Sequence, residues 1–336
     1  MHPIPRRSRP RFGALAAAAV ALAALALPAL AAGGVTAPSL ETEITAVPSS
    51  PRFDPEGSFR FRSPGAVSEV SFQCRLDGKR WHACKSPTGP IRLGRGTHRF
   101  EVRATGPGGA ADPTPASARV RVLERKVEFG KSAEGRKLVA VRFGEAGARR
   151  KALMVGEIHG DEPEGREIVE RLRTKYAGLD GVEVWSVISV NPDGHARHTR
   201  KNAHGVDLNR NFSVGWSGAE PPSSGYYAGP HPFSEPESRA VKRLAKRIRP
   251  RVSIYWHQPW NRVLVPCHGK AKVQRRYARI AGERTSCRGH DAPGTAIDWQ
   301  NRKLPGLAFV VELGAGELGD GELRRHARAA AAVARG

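Results

Sequence analysis

Apolar runs of strand length alternate with stretches of helical periodicity from about residue 126 onward, and this alternation restricts the fold more than any other feature. The predicted buried strands cover residues 152–158, 182–190, 252–256 and 307–311. Between the first two runs, Ile168, Val169 and Leu172 fit one face of a helix. Strands that alternate with helices are typical of an α/β domain. We therefore expect residues 126–336 to form an α/β domain with a mostly parallel mixed sheet flanked by helices.

A second helix is predicted at Ser234-Glu235-Pro236-Glu237, because its serine and its last glutamate have the spacing of a capping box. Val241, Leu244 and Ile248 follow at helical spacing on one face. The motif and the periodicity together predict a helix that begins at residues 234–237.

Residues 51–124 show a different pattern, in which apolar side chains such as Phe72 and Cys74 recur at every second position. Gly- and Pro-rich turns separate these runs, as in a small β-sandwich. The segment resembles the immunoglobulin-like modules appended to bacterial exported proteins, through FQCRLDG from Phe72, GTHRF from Gly96 and DPTP from Asp112. Such modules usually space or bind, and we find no catalytic cluster in this sequence segment.

Residues 1–32 have the composition of a signal peptide. Four arginines among the first eleven residues precede an apolar run from Ala14 to Ala32, which ends with small residues suited to cleavage. The alternative is an uncleaved anchor, because the run is nearly long enough to span a bilayer. We expect cleavage, no other membrane association, and a secreted or cell-envelope location. Residues 33–50 are rich in Ala, Gly, Thr, Pro and Ser and predict a linker.

The chain has four cysteines, and none belongs to a C-x-x-C pair, so a thiolate zinc site is not indicated. In an exported protein an even number of cysteines indicates disulfides, and three pairings are possible. Sequence proximity and the domain boundary near residue 125 favour the pairs Cys74–Cys84 and Cys267–Cys287.

The formal net charge is +23, and four of these charges belong to the N-terminal arginines. A basic exported protein can associate with anionic polymers such as nucleic acid, cell-wall polymers or lipid headgroups. No block of five like charges occurs. We therefore interpret the charge as a solvated surface and expect no nucleic-acid partner.

Polar residues follow the four predicted buried strands at the points where the strands end. In chain order these are His159, the Asn191-Pro192-Asp193-Gly194 segment, His257 and Glu312. Ligands of an open α/β sheet bind outside the carboxyl ends of its strands. We therefore expect these residues to converge on one site although they are far apart in sequence.

Several of these residues are candidates for a zinc site. His159 and Glu162 form an H-x-x-E pair, although a loop histidine beside a helix-capping acid would give the same pattern, since Pro163 indicates a helix start. Zinc in a catalytic site needs a third ligand and an open position for water. Among the 12 histidines, His257 is the best third candidate because it follows a strongly apolar strand; the alternative is a core histidine. Glu312 can act as a general base, or it can form a structural ion pair.

The segment from residue 202 to residue 212 is dense in polar groups. Arg210 offers a planar guanidinium suited to a carboxylate, and Arg200, just before the segment, can stabilise an oxyanion. Asp207 can hold the second nitrogen of a ligand histidine. A solvated loop can have the same composition, so both interpretations stay open.

Taken in order, these motifs resemble the zinc metallocarboxypeptidase family of carboxypeptidase A type. The motifs are HGDEPEG from His159, NPDG from Asn191, TRKN from Thr199, GVDLNRNF from Gly205, SEPE from Ser234 and VEL from Val311. The likeness covers about residues 126–315. The short domain and the GVDLNRNF motif are closer to bacterial murein-peptide amidases than to digestive enzymes.

The resemblance implies one zinc ion per chain, with His159, Glu162 and His257 as its ligands. It implies Glu312 as the catalytic base and Arg200 as the catalytic group at the oxyanion. It also implies that Asn209 and Arg210 bind the carboxylate of the substrate.

The chain departs from the family's pattern in one respect. The family usually has a substrate-capping tyrosine ahead of the catalytic glutamate, but no tyrosine lies between Tyr277 and Glu312. His290 stands about where that tyrosine is expected, so we include it among the substrate-binding residues. In the expected side-chain pocket, Ile297 would favour an apolar terminal residue and Asp298 a basic or diamino residue, and the sequence does not decide between them.

We therefore expect a secreted zinc metallocarboxypeptidase that hydrolyses a C-terminal peptide bond, or a γ-glutamyl-type amide bond, in a peptide with a free terminal carboxylate. Cell-wall peptides are one candidate substrate. One alternative is a zinc-dependent N-acyl amino acid deacylase, which would share the metal site. A second alternative is a non-catalytic cell-wall binding protein, whose expected mark is the loss of Glu312 or of a metal ligand. Neither is missing.

Overall fold

The computed structural model describes residues 40–64, 70–123, 125–287 and 292–336. The predicted signal peptide, residues 33–39 of the predicted linker and His290 lie outside these ranges. Within them, no helix combines the length and the hydropathy that crossing a membrane requires.

The first eight strands form a β-rich segment. They are β1 (Glu43–Ala46), β2 (Glu56–Gly57), β3 (Arg60–Arg62), β4 (Ser71–Leu76), β5 (His82–Cys84), β6 (Ile91–Arg92), β7 (Gly96–Thr105) and β8 (Ala116–Val122). An antiparallel sheet has the order β5-β4-β7-β8. β1 pairs antiparallel with β3, and β2 pairs antiparallel with β6. Alternate side chains, including Cys74, Phe100 and Val102, pack on Phe59 in a common core.

β1 lies inside the stretch that we expected to be a linker, and it is paired with β3. A short 3-10 helix at Pro107–Gly109 connects β7 to β8. The immunoglobulin-like character of this segment and the domain boundaries stay predictions.

The remaining strands form an eight-stranded mixed sheet. They are β9 (Lys126–Lys131), β10 (Lys137–Gly144), β11 (Lys151–Val155), β12 (Glu183–Val187), β13 (Val252–His257), β14 (Arg262–Leu264), β15 (Thr285–Ser286) and β16 (Leu307–Glu312). Their order is β15-β14-β16-β13-β11-β12-β10-β9. The central strands β16, β13, β11 and β12 are mutually parallel, whereas β10 pairs antiparallel with both of its neighbours and β14 pairs antiparallel with β16. The expected α/β architecture with a mixed sheet is confirmed.

Helices cover both faces of this sheet. Within the described ranges they are α1 (Glu164–Lys175), α2 (Pro192–Arg197), α3 (Pro236–Ile248), α4 (Lys272–Ala281), α5 (Ala296–Lys303) and α6 (Asp320–Arg335), with a 3-10 turn at Leu208–Arg210. Apolar residues of α1, α4 and α6 pack on one face, which includes Ile254 and Trp256. Residues of α3 and α5 pack on the other face, which includes Tyr255. Because side chains alternate along a strand, β13 serves both cores.

Two of the predicted strands were too long at their carboxyl ends. β11 ends at Val155 and β12 ends at Val187, three residues before the predicted end in each case. The two segments that follow these strands remain hydrogen-bonded beyond the sheet, because the Val190 amide donates to the Glu157 carbonyl over 2.9 Å. A buried apolar loop therefore has the same sequence pattern as a buried strand.

The predicted capping box is wrong. α3 begins at Pro236 after Glu235, and no side chain caps its first turn. Glu237 instead points to other partners, because its carboxylate accepts hydrogen bonds from the Ala133 amide at 2.7 Å and from Asn202 Nδ2 at 3.2 Å. These two loop residues therefore bind the carboxylate that the capping box would have used.

Both predicted disulfides are confirmed. Cys74 and Cys84 join β4 to β5 with a Cα separation of 5.8 Å, and Cys267 and Cys287 have a Cα separation of 4.8 Å. Both values lie in the range that a disulfide spans.

Gly165 lets α1 approach the central sheet closely, since a Cβ at this position would overlap with the Gly156 carbonyl oxygen and Trp256 Cβ. We expect Gly165→Ala to lower the free energy of unfolding by about 1–3 kcal/mol, because overpacking outweighs the better helix propensity of alanine. The control Gly178→Ala, an exposed position with no atom within 4 Å of the added Cβ, should change it by less than about 0.5 kcal/mol. Urea unfolding measures the free energy of unfolding of both variants, and equal losses would contradict the close approach of α1 to the sheet.

Candidate active site

His159, Glu162 and His257 come together at the carboxyl end of the central strands. His159 and Glu162 lie on the loop between β11 and α1, and His257 ends β13. His159 Nδ1 is 2.9 Å from Glu162 Oε1 and 3.1 Å from His257 Nδ1. His257 Nδ1 is 2.7 Å from Glu162 Oε2. All three side chains are buried, so the convergence that the sequence predicted is present.

This set of donors fits a zinc ion. Two imidazole nitrogens and one carboxylate form one of the ligand sets that catalytic zinc uses. One ligand atom from each residue lies within 4.8 Å of the other two. An ion about 2.0–2.2 Å from each donor can therefore bind all three together.

Asp207 and Arg200 orient His159. Because a carboxylate only accepts hydrogen bonds, His159 Nε2 donates to Asp207 Oδ1 over 3.1 Å, which leaves Nδ1 directed at the other two donors. Arg200 holds Asp207 in turn, with Nη2 at 2.9 Å from Oδ2. The same guanidinium reaches the cluster itself, with Nη1 at 3.1 Å from Glu162 Oε1.

Mutual attraction offsets the burial of these charges. Burial alone would lower the pKa of His159, but the carboxylates of Glu162 and Asp207 raise it to about 9. Burial would raise the pKa of each carboxyl, but His159 holds the pKa of both well below the usual range. Burial lowers the pKa of His257, which keeps its imidazole neutral and able to ligate a metal.

Glu312 ends β16 beside this cluster. Parallel pairing makes Glu312 the register partner of His257, and the Glu312 side chain lines the cavity that opens at this edge. Its Oε2 atom is buried and has no hydrogen-bond partner within the described part of the chain. Burial, followed by the negative charge of Glu162, raises the pKa of Glu312 to about 8. A carboxylate in this state is a candidate proton acceptor for a small ligand such as water.

The cavity has a volume of about 940 Å³, and two arginines line it beside the cluster. The guanidinium carbons of Arg200 and Arg210 lie 5.2 and 5.4 Å from the ring centre of Tyr226, a half-exposed residue of the same wall. Asn209 Oδ1 accepts the Ala296 amide at 3.0 Å, and Arg210 Nη1 donates to the Asn209 carbonyl at 2.8 Å. Two neighbouring cations in a cavity favour an anionic ligand.

The structure distinguishes the two candidates for the side-chain pocket. Ile297 lines the cavity together with Leu264 and Val310, whereas Asp298 is not among its described lining residues. Asp298 lies in the first turn of α5, where its carboxylate accepts a hydrogen bond from Thr295 Oγ1 at 2.7 Å. The wall is therefore apolar at this point.

The Asn191-Pro192-Asp193-Gly194 segment is not among the described residues that line the cavity, but it supports the site from behind the loop that carries His159. Asn191 Oδ1 accepts the Gly194 amide at 2.9 Å at the start of α2. The Gly194 peptide packs so closely on Gly160 that a Cβ at Gly160 would overlap with it. This contact fixes the loop that carries His159.

Two residues that organise the site were missed from the sequence. Gln258 follows His257 and joins its own loop to the start of α1 and to the loop after β16, since Oε1 accepts the Glu164 amide at 3.2 Å and Nε2 donates to the Gly314 carbonyl at 3.0 Å. Glu157 lies on the same loop as His159, is fully buried, and binds His195 Nδ1 at 2.8 Å. A glutamate inside an apolar run was the available signal for Glu157. Gln258 offered only its position after His257.

Comparisons with known proteins identify the family. A family model described as zinc carboxypeptidase matches residues 118–285, which is half of the chain.

The chain belongs to the zinc carboxypeptidase family.

Murein peptide amidase A of Escherichia coli (strain K12) is 33% identical over 166 residues, which cover 46% of this chain and 67% of that protein. Carboxypeptidase B of Astacus astacus is 28% identical over 169 residues, which cover 40% of this chain and 56% of that protein. The crystal structure of murein-tripeptide amidase MpaA from Escherichia coli O157 has a TM-score of 0.52 and 26% identity, over 62% of this chain and 91% of that chain.

Family membership and the site agree on the class of enzyme. The chain is a zinc metallocarboxypeptidase-type hydrolase that acts on peptides, and Zn²⁺ is the metal of its family. The expectations of a zinc enzyme and of this family are confirmed.

Asp207 should tune the affinity of the site for zinc. We expect Asp207→Asn to weaken zinc binding by about 10- to 100-fold, because the amide no longer holds His159 as a charged acceptor does. Competition against a chromophoric chelator measures the affinity. Asp180→Asn, an exposed loop variant with the same change of charge, should bind zinc as the unmodified protein does. Equal affinities in all three proteins would contradict the role of Asp207.

Proposed function

We propose that this protein is an exported metallocarboxypeptidase that cleaves the last peptide or amide bond of a peptide with a free terminal carboxylate. One observation carries the proposal, namely that the buried Oε2 of Glu312 has no partner among the described residues and lies beside the three converging donors in a cavity that two arginines also line. The three metal donors, the base Glu312 and the two arginines all line the same cavity, as hydrolysis of a bond next to a terminal carboxylate requires.

His159 and His257 would hold zinc through their Nδ1 atoms, and Glu162 would hold it through its carboxylate. When bound, zinc supplies a Lewis acid that acidifies water and polarises the scissile carbonyl. Glu312 Oε2 accepts the proton of the attacking water while the water oxygen bonds to the carbonyl carbon. The same carboxyl then donates this proton to the leaving nitrogen as the C–N bond breaks.

Arg200 and Arg210 would each bind one of the two negatively charged groups of the reacting substrate. Arg200 lies next to the cluster and would stabilise the oxyanion that develops on the carbonyl oxygen. Arg210, with Asn209 beside it, would bind the terminal carboxylate. Nε and Nη2 of Arg200 bind Asp207, and this bond limits its motion. A substrate-binding role for His290 remains part of the proposal.

The cavity wall supports an apolar or neutral terminal side chain. Ile297, Leu264 and Val310 supply apolar surface, and Asp298 is engaged at the start of α5. A basic terminal side chain would lose its hydration there without gaining a partner from Asp298.

Several observations support an extracytoplasmic location and a cell-wall substrate. The two disulfides fit an oxidising compartment. The signal peptide predicted over residues 1–32 would deliver the protein there. The similarity to a murein peptide amidase supports cell-wall peptides, including those with γ-glutamyl-type bonds, as substrates. The β-rich segment before residue 125 would then act as an immunoglobulin-like spacer or binding module.

Glu312→Gln tests the assigned base. The amide keeps the shape of the side chain but cannot accept a proton, so kcat should fall by about 10²- to 10⁴-fold. Zinc content, measured by elemental analysis, should stay at that of the unmodified protein because Glu312 is not a ligand. Turnover near the normal rate would refute the mechanism, whereas loss of zinc would show that Glu312 also ligates.

Arg210→Ala tests recognition of the terminal carboxylate. With a free-acid peptide, kcat/KM should fall by about 10- to 100-fold, as expected when a charge-assisted hydrogen bond is lost. With the C-terminally amidated peptide, any residual activity should be almost unchanged. Equal losses on both substrates would contradict carboxylate binding by Arg210. Faster hydrolysis of N-acyl amino acids than of peptides by the unmodified enzyme would favour a deacylase.

A further inference from the structure

One face of the antiparallel sheet β5-β4-β7-β8 carries a concentration of positive charge. The opposite face, with Cys74, Phe100 and Val102, packs into the core. Direct cross-strand partners share a face, and the register pairs Arg99 with Arg119 on the outer one. The arginines of this outer face are Arg75, Arg99, Arg103, Arg119 and Arg121. We name these five residues the arginine face.

Two of the five arginines are held in place. Arg75 donates from Nε and Nη2 to the two carboxylate oxygens of Glu101, each over 2.9 Å. Arg103 donates from Nη2 to Gln73 Oε1 over 2.7 Å. The guanidinium carbons of both lie 4.4 Å from the ring centre of Trp81. Fixed guanidinium groups lose little conformational entropy when they bind an anion.

The other three arginines are exposed. The side chain of Arg99 is 53% exposed, although it also lies 3.4 Å from Glu101. Arg119 and Arg121 are exposed and have no carboxylate partner among the residues that the structure describes. Like charges directly opposite each other on a sheet are destabilising. The pairing of Arg99 with Arg119 therefore does not stabilise the sheet, and among the described strand residues of the outer face Glu101 is the one carboxylate beside five arginines.

We propose that the arginine face binds an acidic polysaccharide, a linear chain that carries carboxylate or phosphate groups at intervals. Neighbouring strands are about 4.8 Å apart, and alternate residues along a strand are about 6.7 Å apart. A polymer with repeated charges can therefore engage several arginines together, and each contact adds affinity through counterion release. Binding here would hold the hydrolase against an anionic matrix, a function separate from peptide hydrolysis.

The composition of the face favours a polysaccharide over single-stranded nucleic acid. Single-stranded nucleic acids bind by stacking their bases on exposed aromatic rings. On the described outer face, the strands contribute no aromatic side chain, and the ring of Trp81 already contacts two guanidinium groups. The disulfide Cys74–Cys84 lies in the same sheet and fits an oxidising compartment.

The test compares the full-length protein with two triple variants for binding to immobilised polysaccharides at fixed ionic strength. Arg99→Ser, Arg119→Ser and Arg121→Ser together change the face. Lys175→Ser, Lys246→Ser and Arg302→Ser together remove the same charge from exposed positions elsewhere. The probes are polygalacturonate, phosphomannan, uncharged dextran and a DNA duplex.

The unmodified protein should bind polygalacturonate or phosphomannan, should not bind dextran, and should lose affinity as salt rises. Which of the two acidic probes binds more tightly tells carboxylate from phosphate recognition. The face variant should bind about tenfold more weakly, as expected for three exposed charge contacts. The control variant should bind as the unmodified protein does, and all three proteins should unfold at the same temperature and hydrolyse peptide equally.

Three results would overturn the proposal. One is the absence of binding to both acidic polysaccharides, and a second is an equal loss in the two triple variants, which would reduce the effect to net charge. The third is binding of the DNA duplex as tight as that of the polysaccharides at the same salt concentration.

Discussion

Parallel pairing of β11, β13 and β16 brings the carboxyl ends of three strands to one edge, and four ionisable groups are buried where these strands end. Transfer of an isolated charge from water into a protein costs several kcal/mol. Here His159 is placed between the carboxylates of Glu162 and Asp207, so that these three charges have partners. The pairing makes the burial possible, and the burial in turn keeps water from weakening the electrostatic interactions inside the cavity.

A buried charge cluster is a poor source of stability compared with apolar packing. Its value here lies in holding side chains in a fixed geometry before a ligand arrives. The rest of the fold serves the same end. Gln258 and Glu164 hold the loop that follows Glu312, since the Leu318 amide donates to Glu164 Oε2 over 2.9 Å. Close packing at Gly160 and Gly165 restricts the position of the loop that carries His159 and Glu162.

The convergence of the site was predictable from the sequence because it depends on topology alone. Once strands and helices alternate, polar residues that follow buried strands must meet at one edge, and His159, His257 and Glu312 do. The strand ends were not predictable, because the buried loop at Ile158 is as apolar as a strand. The position of Ile297 relative to Asp298 depends on where α5 begins, which hydrophobic periodicity leaves uncertain by a residue or more. Glu237 departed from its expected cap because partners distant in sequence bind it more favourably.

We propose that the His159–Glu162–His257 cluster and Glu312 form a single zinc-dependent hydrolytic centre. The most direct measurement is a zinc titration of the metal-free protein, with the products of a free-acid peptide identified by mass spectrometry. We expect that activity rises linearly and reaches a plateau at about one equivalent of zinc, and that the enzyme releases residues from the carboxyl terminus only. Full hydrolysis by the metal-free protein, or cleavage within the peptide after zinc is added, would contradict the proposal.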